Sequence, residues 1–236
     1  MLCFSEAYCA YGLYNQNRRL LSRRPLSYLQ NRSNCRSHLV FLSQIPRRKE
    51  FEGKEPIGLK LVERSWEPDC GVRSFGQLCY DDSNRYVHLR AVEKDIRAEY
   101  TAPLSPVYQD SCLEFFFMPE GGDRYFNFEM NPKGCLYIEL GHNRSDRFIQ
   151  YRDDISDHFD IKTAKTDDGW EVFYSIALDF IRLFYPDFEF IGSLRANIYK
   201  CGDMTTAKHY LSWNPVTSEK PDFHRPQDFG EMIFCY

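Results

Sequence analysis

The clearest alternation of apolar and polar positions lies between residues 108 and 134. Leu113, Phe115 and Phe117 alternate with Cys112, Glu114 and Phe116; Phe126, Phe128 and Met130 alternate with Asn127, Glu129 and Asn131. Residues 119–124 between the two runs, Pro-Glu-Gly-Gly-Asp-Arg, have the composition of a turn. The pattern predicts a β-hairpin. A symmetric loop pairs Phe117 with Phe126, Phe115 with Phe128 and Leu113 with Met130, an all-apolar face. The other face pairs Phe116 with Asn127, Glu114 with Glu129 and Cys112 with Asn131. Two carboxylates placed directly opposite repel, so that face has something to explain. A slip of one residue would break the apolar pairing.

The same period-2 reading predicts strands at 86–92, 135–140, 159–165, 170–176, 194–200, 209–215 and 230–235. In the first, Val87, Leu89 and Ala91 share a face. In 194–200, Leu194, Ala196 and Ile198 face inward and Arg195, Asn197 and Tyr199 face the other way. Asp167-Asp168-Gly169 predicts a tight hairpin turn, with Asp-Gly supplying positive φ angles. Leu178 to Tyr185 is the one convincing helix, with Ile181, Phe184 and Tyr185 on its apolar side and Pro186 ending it. About eight or nine strands and one brief helix predict an all-β fold, an antiparallel β-sandwich of immunoglobulin-like or jelly-roll-like kind. Residues 51–236 are assigned to it.

Charge separates the first 50 residues from the rest. They hold nine Arg or Lys against Glu6 and Glu50, so +7, which leaves about −11 on the remainder of a chain of net charge −4. Their Arg, Ser and Asn show no period, which reads as a disordered extension; a transit sequence, a nucleic-acid arm and sequence upstream of the true start are the alternatives. The acidic body argues against a nucleic-acid partner, and no apolar run of about 18 residues points to a membrane. Nine cysteines, an odd number with no C-x-x-C, read as free buried thiols in a reducing compartment. Their spacing offers no metal ligand set, and neither metal nor cofactor is expected. With no convincing signal peptide, the expected location is cytoplasmic.

Six motifs then occur in order: Tyr-Gln-Asp-Ser-Cys-Leu-Glu-Phe-Phe (108–116), Asn-Phe-Glu-Met-Asn (127–131), Gly169-Trp170, Arg195-Ala196-Asn197-Ile198-Tyr199, Leu211-Ser212-Trp213-Asn214-Pro215, and Phe223-His224-Arg225-Pro226 with Phe229-Gly230. Together, over roughly residues 60–236, they resemble the family 9 carbohydrate-binding modules and their DOMON-like relatives. The resemblance implies a β-sandwich that binds glycans without catalysis, often beside enzymes that degrade xylan or cellulose. It implies a terminal sugar held between two aromatic rings, at positions that fall on Tyr108 and Trp213. Glu114 matches the acidic residue of the family's strand and Asn197 a polar position on a later one. This chain departs in carrying Tyr at 108 where the family has Trp, and Glu129 where some members have Arg. No glycosidase domain accompanies it, so a glycoside hydrolase partner would be encoded separately.

A sugar has apolar C–H faces and a hydroxyl rim, which calls for flat aromatic surface with convergent polar groups. The candidate site is therefore Tyr108, Glu114, Glu129, Arg195, Asn197 and Trp213, binding a mono- or oligosaccharide such as the ends of plant-type glycans. Trp213 could equally be a packing residue; Trp66 and the His224 loop are then the next places to search. Trp170 reads as core. Glu114 and Glu129 could contact sugar hydroxyls, hold a cation, act as a catalytic pair, or form a structural network neutralised by Arg195. Two further classes stay open: a glycoside-processing enzyme using Glu114 and Glu129, and a haem-binding DOMON-like redox module drawing on Met118, Met130, Met204, His142 or His209.

Overall fold

The predicted hairpin forms as strands β6 (Cys112–Pro119) and β7 (Tyr125–Met130). Leu113 lies opposite Met130, Glu114 opposite Glu129, Phe115 opposite Phe128, Phe116 opposite Asn127 and Phe117 opposite Phe126, in the register expected from the pattern. The computed structural model describes residues 42–45, 59–148 and 156–234. Before the hairpin lie β1 (Leu42–Ile45), β2 (Leu59–Leu61), β3 (Glu63–Arg64), β4 (Arg73–Tyr80) and β5 (Asn84–Val92). After it come β8 (Leu136–Gly141), β9 (Arg147–Phe148), β10 (Lys162–Thr166), β11 (Gly169–Ala177), helix α1 (Leu178–Arg182), β12 (Ser193–Cys201), β13 (Tyr210–Ser212) and β14 (Gly230–Phe234).

These strands make two sheets. The larger runs β1-β14-β12-β6-β7-β8-β9, with β13 and β3 added beside β12; the smaller runs β10-β11-β5-β4-β2. Among the described residues, pairing is antiparallel except between β1 and β14. The sheets face one another across Phe115, Phe117, Phe126, Phe128, Ile198 and Leu194 on one side and Val87, Leu89, Val172, Tyr174 and Ile176 on the other. Phe128 stacks on Tyr174 across the gap, ring centroids 5.8 Å apart. This is the expected β-sandwich.

Three differences from the sequence reading have physical causes. β4 shows no apolar period because two of its inward positions are Ser74 and Gly76; a Cβ on Gly76 would lie 2.6 Å from Ile198 Cδ1 of the facing sheet. The β10–β11 hairpin forms, but neither Asp168 nor Gly169 has a positive φ. Gly169 is needed instead for close approach, since a Cβ there would lie 2.0 Å from the Ala91 carbonyl oxygen. The helix is shorter than expected and stops at Arg182, although Phe180, Phe184 and Tyr185 still pack against the core. Of residues 1–50, expected to stand outside the fold, Leu42–Ile45 pair with Glu231–Phe234, and Ile45 is buried; the remainder of that segment lies outside the described residues. The described cysteines, Cys70, Cys79, Cys112, Cys135 and Cys201, are free thiols.

The outer face of the larger sheet is not left to solvent. Phe116, Tyr125, Tyr199, Tyr210, Phe223 and Phe229 form a second apolar cluster there, joined by Trp66, Tyr100 and Tyr137. Every residue of β6 and β7 is consequently buried, on both faces. Chain segments 202–209 and 213–229 fold over this surface, and they leave one cavity beside Glu114 and Glu129.

Candidate functional site

The cavity measures about 260 Å³. Its floor is strand: Glu114 on β6 and Glu129 on β7 are direct partners, and Tyr137 on β8 lies opposite Glu129. Its walls are aromatic and charged: Trp66, Tyr108, Tyr210 and Phe223 with Glu139, Arg144, Arg147, Asp203, Asp222 and His224.

Local hydrogen bonding fixes most of these groups. Tyr108 sits in a short 3-10 turn, Val107–Gln109, and the residue is 39% exposed. Asp110 anchors that turn: its buried carboxylate accepts from the Glu99 and Tyr100 amides and from Asn131 Nδ2, at 3.0, 3.1 and 2.9 Å. The Asp of the sequence motif thus shapes the loop rather than lining the cavity. Trp66 takes a φ of 65°, a left-handed backbone that costs a bulky residue about 1–2 kcal/mol. Its ring is held in place by an Nε1 hydrogen bond to the Ser218 carbonyl at 2.7 Å, an edge contact with Tyr210 and a tilted contact with Phe223. Such strain persists where surrounding packing over-determines it, often at a binding surface.

The polar groups form a chain. Arg147 donates to Glu139 at 2.8 Å and to Asn127 Oδ1, and lies 4.6 Å over the Tyr125 ring. Asn127 in turn donates to Glu129 Oε1 at 2.7 Å. Arg144 donates to Asp222 at 2.9 Å, and the Asp222 carboxylate also accepts the His224 amide. The Tyr210 hydroxyl donates to Asp203. Burial pushes Glu129 up to about 7, against the pull of the Asn127 hydrogen bond, and pushes Glu114 well above the usual carboxylate range, with Glu129 and Asp203 adding to the effect. Burial pushes His224 down to about 3, helped by Arg147 and Arg144. The imidazole is held neutral, with Nδ1 3.0 Å from the Tyr125 hydroxyl.

Of the six residues singled out from sequence, the cavity gathers Tyr108, Glu114 and Glu129. Trp213 packs in the inter-sheet core, 6% exposed, so it is not the second ring beside Tyr108. Asn197 is fully buried and ties β12 to the 213–215 segment, donating to the Asn214 carbonyl and accepting the Asn214 amide, both at 2.9 Å. Arg195 bonds the Pro226 carbonyl outside the cavity. It pairs with neither glutamate; Arg147 is linked to Glu129 through Asn127, and Lys200 is the cation that acts on Glu114.

Trp66 and the His224 loop, the alternative places to search, do line the cavity; the sequence pattern gives no sign of Tyr137, Glu139, Arg144, Arg147, Asp203 and Asp222, and Tyr210 enters from β13. The one legible signal was at 210–213, where Tyr210 and Ser212 share a face and Leu211 and Trp213 the other. With Leu211 in the core, Tyr210 belongs on the cavity side. Met118, Met130, Met204, His142 and His209 all lie off the cavity lining.

No curated protein matches the chain. Among solved structures, it is similar to an inferred carbohydrate-binding protein from Bacteroides uniformis, with 27% identity and a TM-score of 0.67, over 76% of this chain and 86% of that one. Two structures of a family 9 module from Caldicellulosiruptor kristjanssonii share the fold. The complex with cellotriose gives 13% identity and a TM-score of 0.55 over 82% of this chain and 93% of that one. The complex with glucose gives 14% and 0.56 over 83% and 96%. The profile of carbohydrate-binding family 9 matches residues 59–234, nearly the whole sandwich, and the chain belongs to that family.

Proposed function

We propose that the cavity on the outer face of the larger sheet binds one sugar unit, without catalysis, between Trp66 and Tyr108. The observation that carries this reading is a cavity in which aromatic rings meet convergent carboxylates and guanidinium groups. Trp66 and Tyr108 supply apolar surface for the C–H faces of a pyranose; Glu114, Glu129, Glu139, Asp203, Arg144 and Arg147 can meet its hydroxyls. A volume near the low end of the roughly 300–1,000 Å³ usual for small-molecule sites favours a single ring, such as the end of an oligosaccharide. The complexes of the similar family 9 module with glucose and cellotriose support the same ligand class.

A small polar ligand buries little area, so Kd should fall on the order of micromolar to millimolar. Calorimetric titration with glucose, cellotriose and xylo-oligosaccharides tests the reading. Tyr108→Ala and Trp66→Ala should each weaken binding at least about tenfold. Trp213→Ala should instead destabilise the fold by roughly 3–5 kcal/mol. Unchanged affinity in folded Tyr108→Ala and Trp66→Ala chains, or no saturable response to any sugar of the panel, overturns it.

A further inference from the structure

Neighbouring strands bring sulfur and oxygen ligands together at the cavity floor. Cys112 and Glu114 leave β6 on the same face, and Glu129 stands opposite Glu114 on β7. Cys201, on β12, is the cross-strand partner of Cys112. All four are buried. The Cys112 thiol and one oxygen from each glutamate lie within 4.8 Å of one another.

We propose that Cys112, Glu114 and Glu129 bind a divalent cation of zinc type, with the Cys201 thiol or a ligand from the cavity completing its coordination. Two observations beyond the clustering support it. The first is the lack of a cation in direct contact: Lys200 acts on Glu114, and Arg147 and Arg144 on Glu129, only from a distance, and among the described residues neither glutamate makes an ion pair, whereas other acids of the cavity wall, such as Glu139, do. The hydrogen-bond partners of the pair are the Asn127 amide and the Cys201 thiol. Two opposed buried carboxylates either retain protons or need a cation between them. The second is the donor set. Calcium and magnesium ask for six or more oxygens, while a thiolate with two carboxylates suits a borderline cation held by three or four ligands.

The geometry is close to what zinc requires. Tetrahedral bonds of about 2.0–2.3 Å place ligand atoms about 3.3–3.8 Å apart. Side-chain torsions can draw the three atoms in by the roughly 1 Å needed without moving a strand. Glu114 and Glu129 line the cavity, so a fourth position is open to it, as in zinc sites that exchange a water or a ligand. The sequence hid this set because its ligands come from two neighbouring strands, with Cys201 on a third, and show no motif spacing. The site shares its cavity with the proposed sugar, yet cation binding does not require that reading.

The test uses the full chain, reduced with a phosphine and freed of metal by chelator. Zinc chloride is titrated in competition with a chromophoric chelator, and cobalt(II) serves as a spectroscopic probe. The expected result is a zinc site weakened at least tenfold by Cys112→Ser and by Glu129→Gln, in chains shown to be folded by their melting transitions. Cobalt should give a near-ultraviolet thiolate charge-transfer band that Cys112→Ser removes. Should Cys112→Ser fail to fold, Glu129→Gln and Glu114→Gln decide by the same titration. Equal zinc affinity and an equal cobalt spectrum in parent and folded variants would place any bound metal on other cysteines and overturn the proposal. Sugar titrations with chelator present are read separately. Sugar binding without zinc binding refutes the cation site alone, and zinc binding without sugar binding refutes the sugar reading alone.

Discussion

Glu129 shows how far burial can move a residue from what its type suggests. Its carboxyl titrates near 7 in the folded chain, because desolvation outweighs the Asn127 hydrogen bond. An unfolded glutamate titrates near 4.3. Between those values the folded chain holds a proton that the unfolded chain has released, so stability falls as pH rises. The contribution is full below about pH 4.5 and lost through about pH 7, and Glu114 shifts in the same direction. His224, pushed to about 3, and His209, pushed to about 4, act oppositely: they stay neutral when folded and withdraw stability as pH falls below about 6.5. The parent curve is therefore a sum of opposed slopes, and the variant isolates one of them. With chelator present, the melting midpoint of the parent should fall relative to that of Glu129→Gln between pH 5 and pH 8. Parallel curves over that window would show that Glu129 is not held protonated. The sequence disclosed the opposed glutamates but not their protonation, which depends on the segments that cover them.

At the scale of elements, the β6–β7 hairpin was legible because its inward face is wholly apolar and a shift of one residue would ruin it. Its outer face mixes Phe116 and Cys112 with Glu114, Asn127, Glu129 and Asn131, and it is a second buried layer, closed by loops without any period of their own. For the same reason Arg144, Asp203 and Asp222 were beyond reach: loop residues enter the cavity by long-range folding, and no alternation marks them. Strand β4 was missed where Gly76 and Ser74 stand at inward positions because the facing sheet is close. Gly169 is a sharper instance, since the turn was foreseen for the wrong reason. A methyl group there meets the Ala91 carbonyl at 2.0 Å, and backbone cannot yield as a side-chain tip can. Gly169→Ala should thus destabilise by about 1–3 kcal/mol, measured by urea unfolding, even though its φ is ordinary for alanine. A neutral effect would mean that β5 and β11 shift apart without cost.

At the scale of the whole molecule, the sheet carrying the cavity ends in a strand from a segment that composition had set apart. β1 joins β14 in parallel, the one such pairing among the described residues, and β14 continues through β12 to β6 and the cavity floor. A four-residue strand among basic, unpatterned sequence gives no readable signal, and only its partner reveals it. The pairing has two consequences for β14. It covers an edge that would otherwise present open backbone groups, and it places Ile45, 1% exposed, against a core that contains Phe234 and Tyr80. Burying an isoleucine side chain stabilises by about 1.5–3 kcal/mol, apart from the backbone pairing. Chains beginning at residue 41 and at residue 51 should therefore differ. The first should melt with the full-length chain, and the second should melt several degrees lower and self-associate more readily through its uncovered β14 edge. Differential scanning calorimetry with sedimentation of both chains reads this directly. Coincident midpoints would show that β1 adds nothing to the sandwich, and that the fold begins after residue 50.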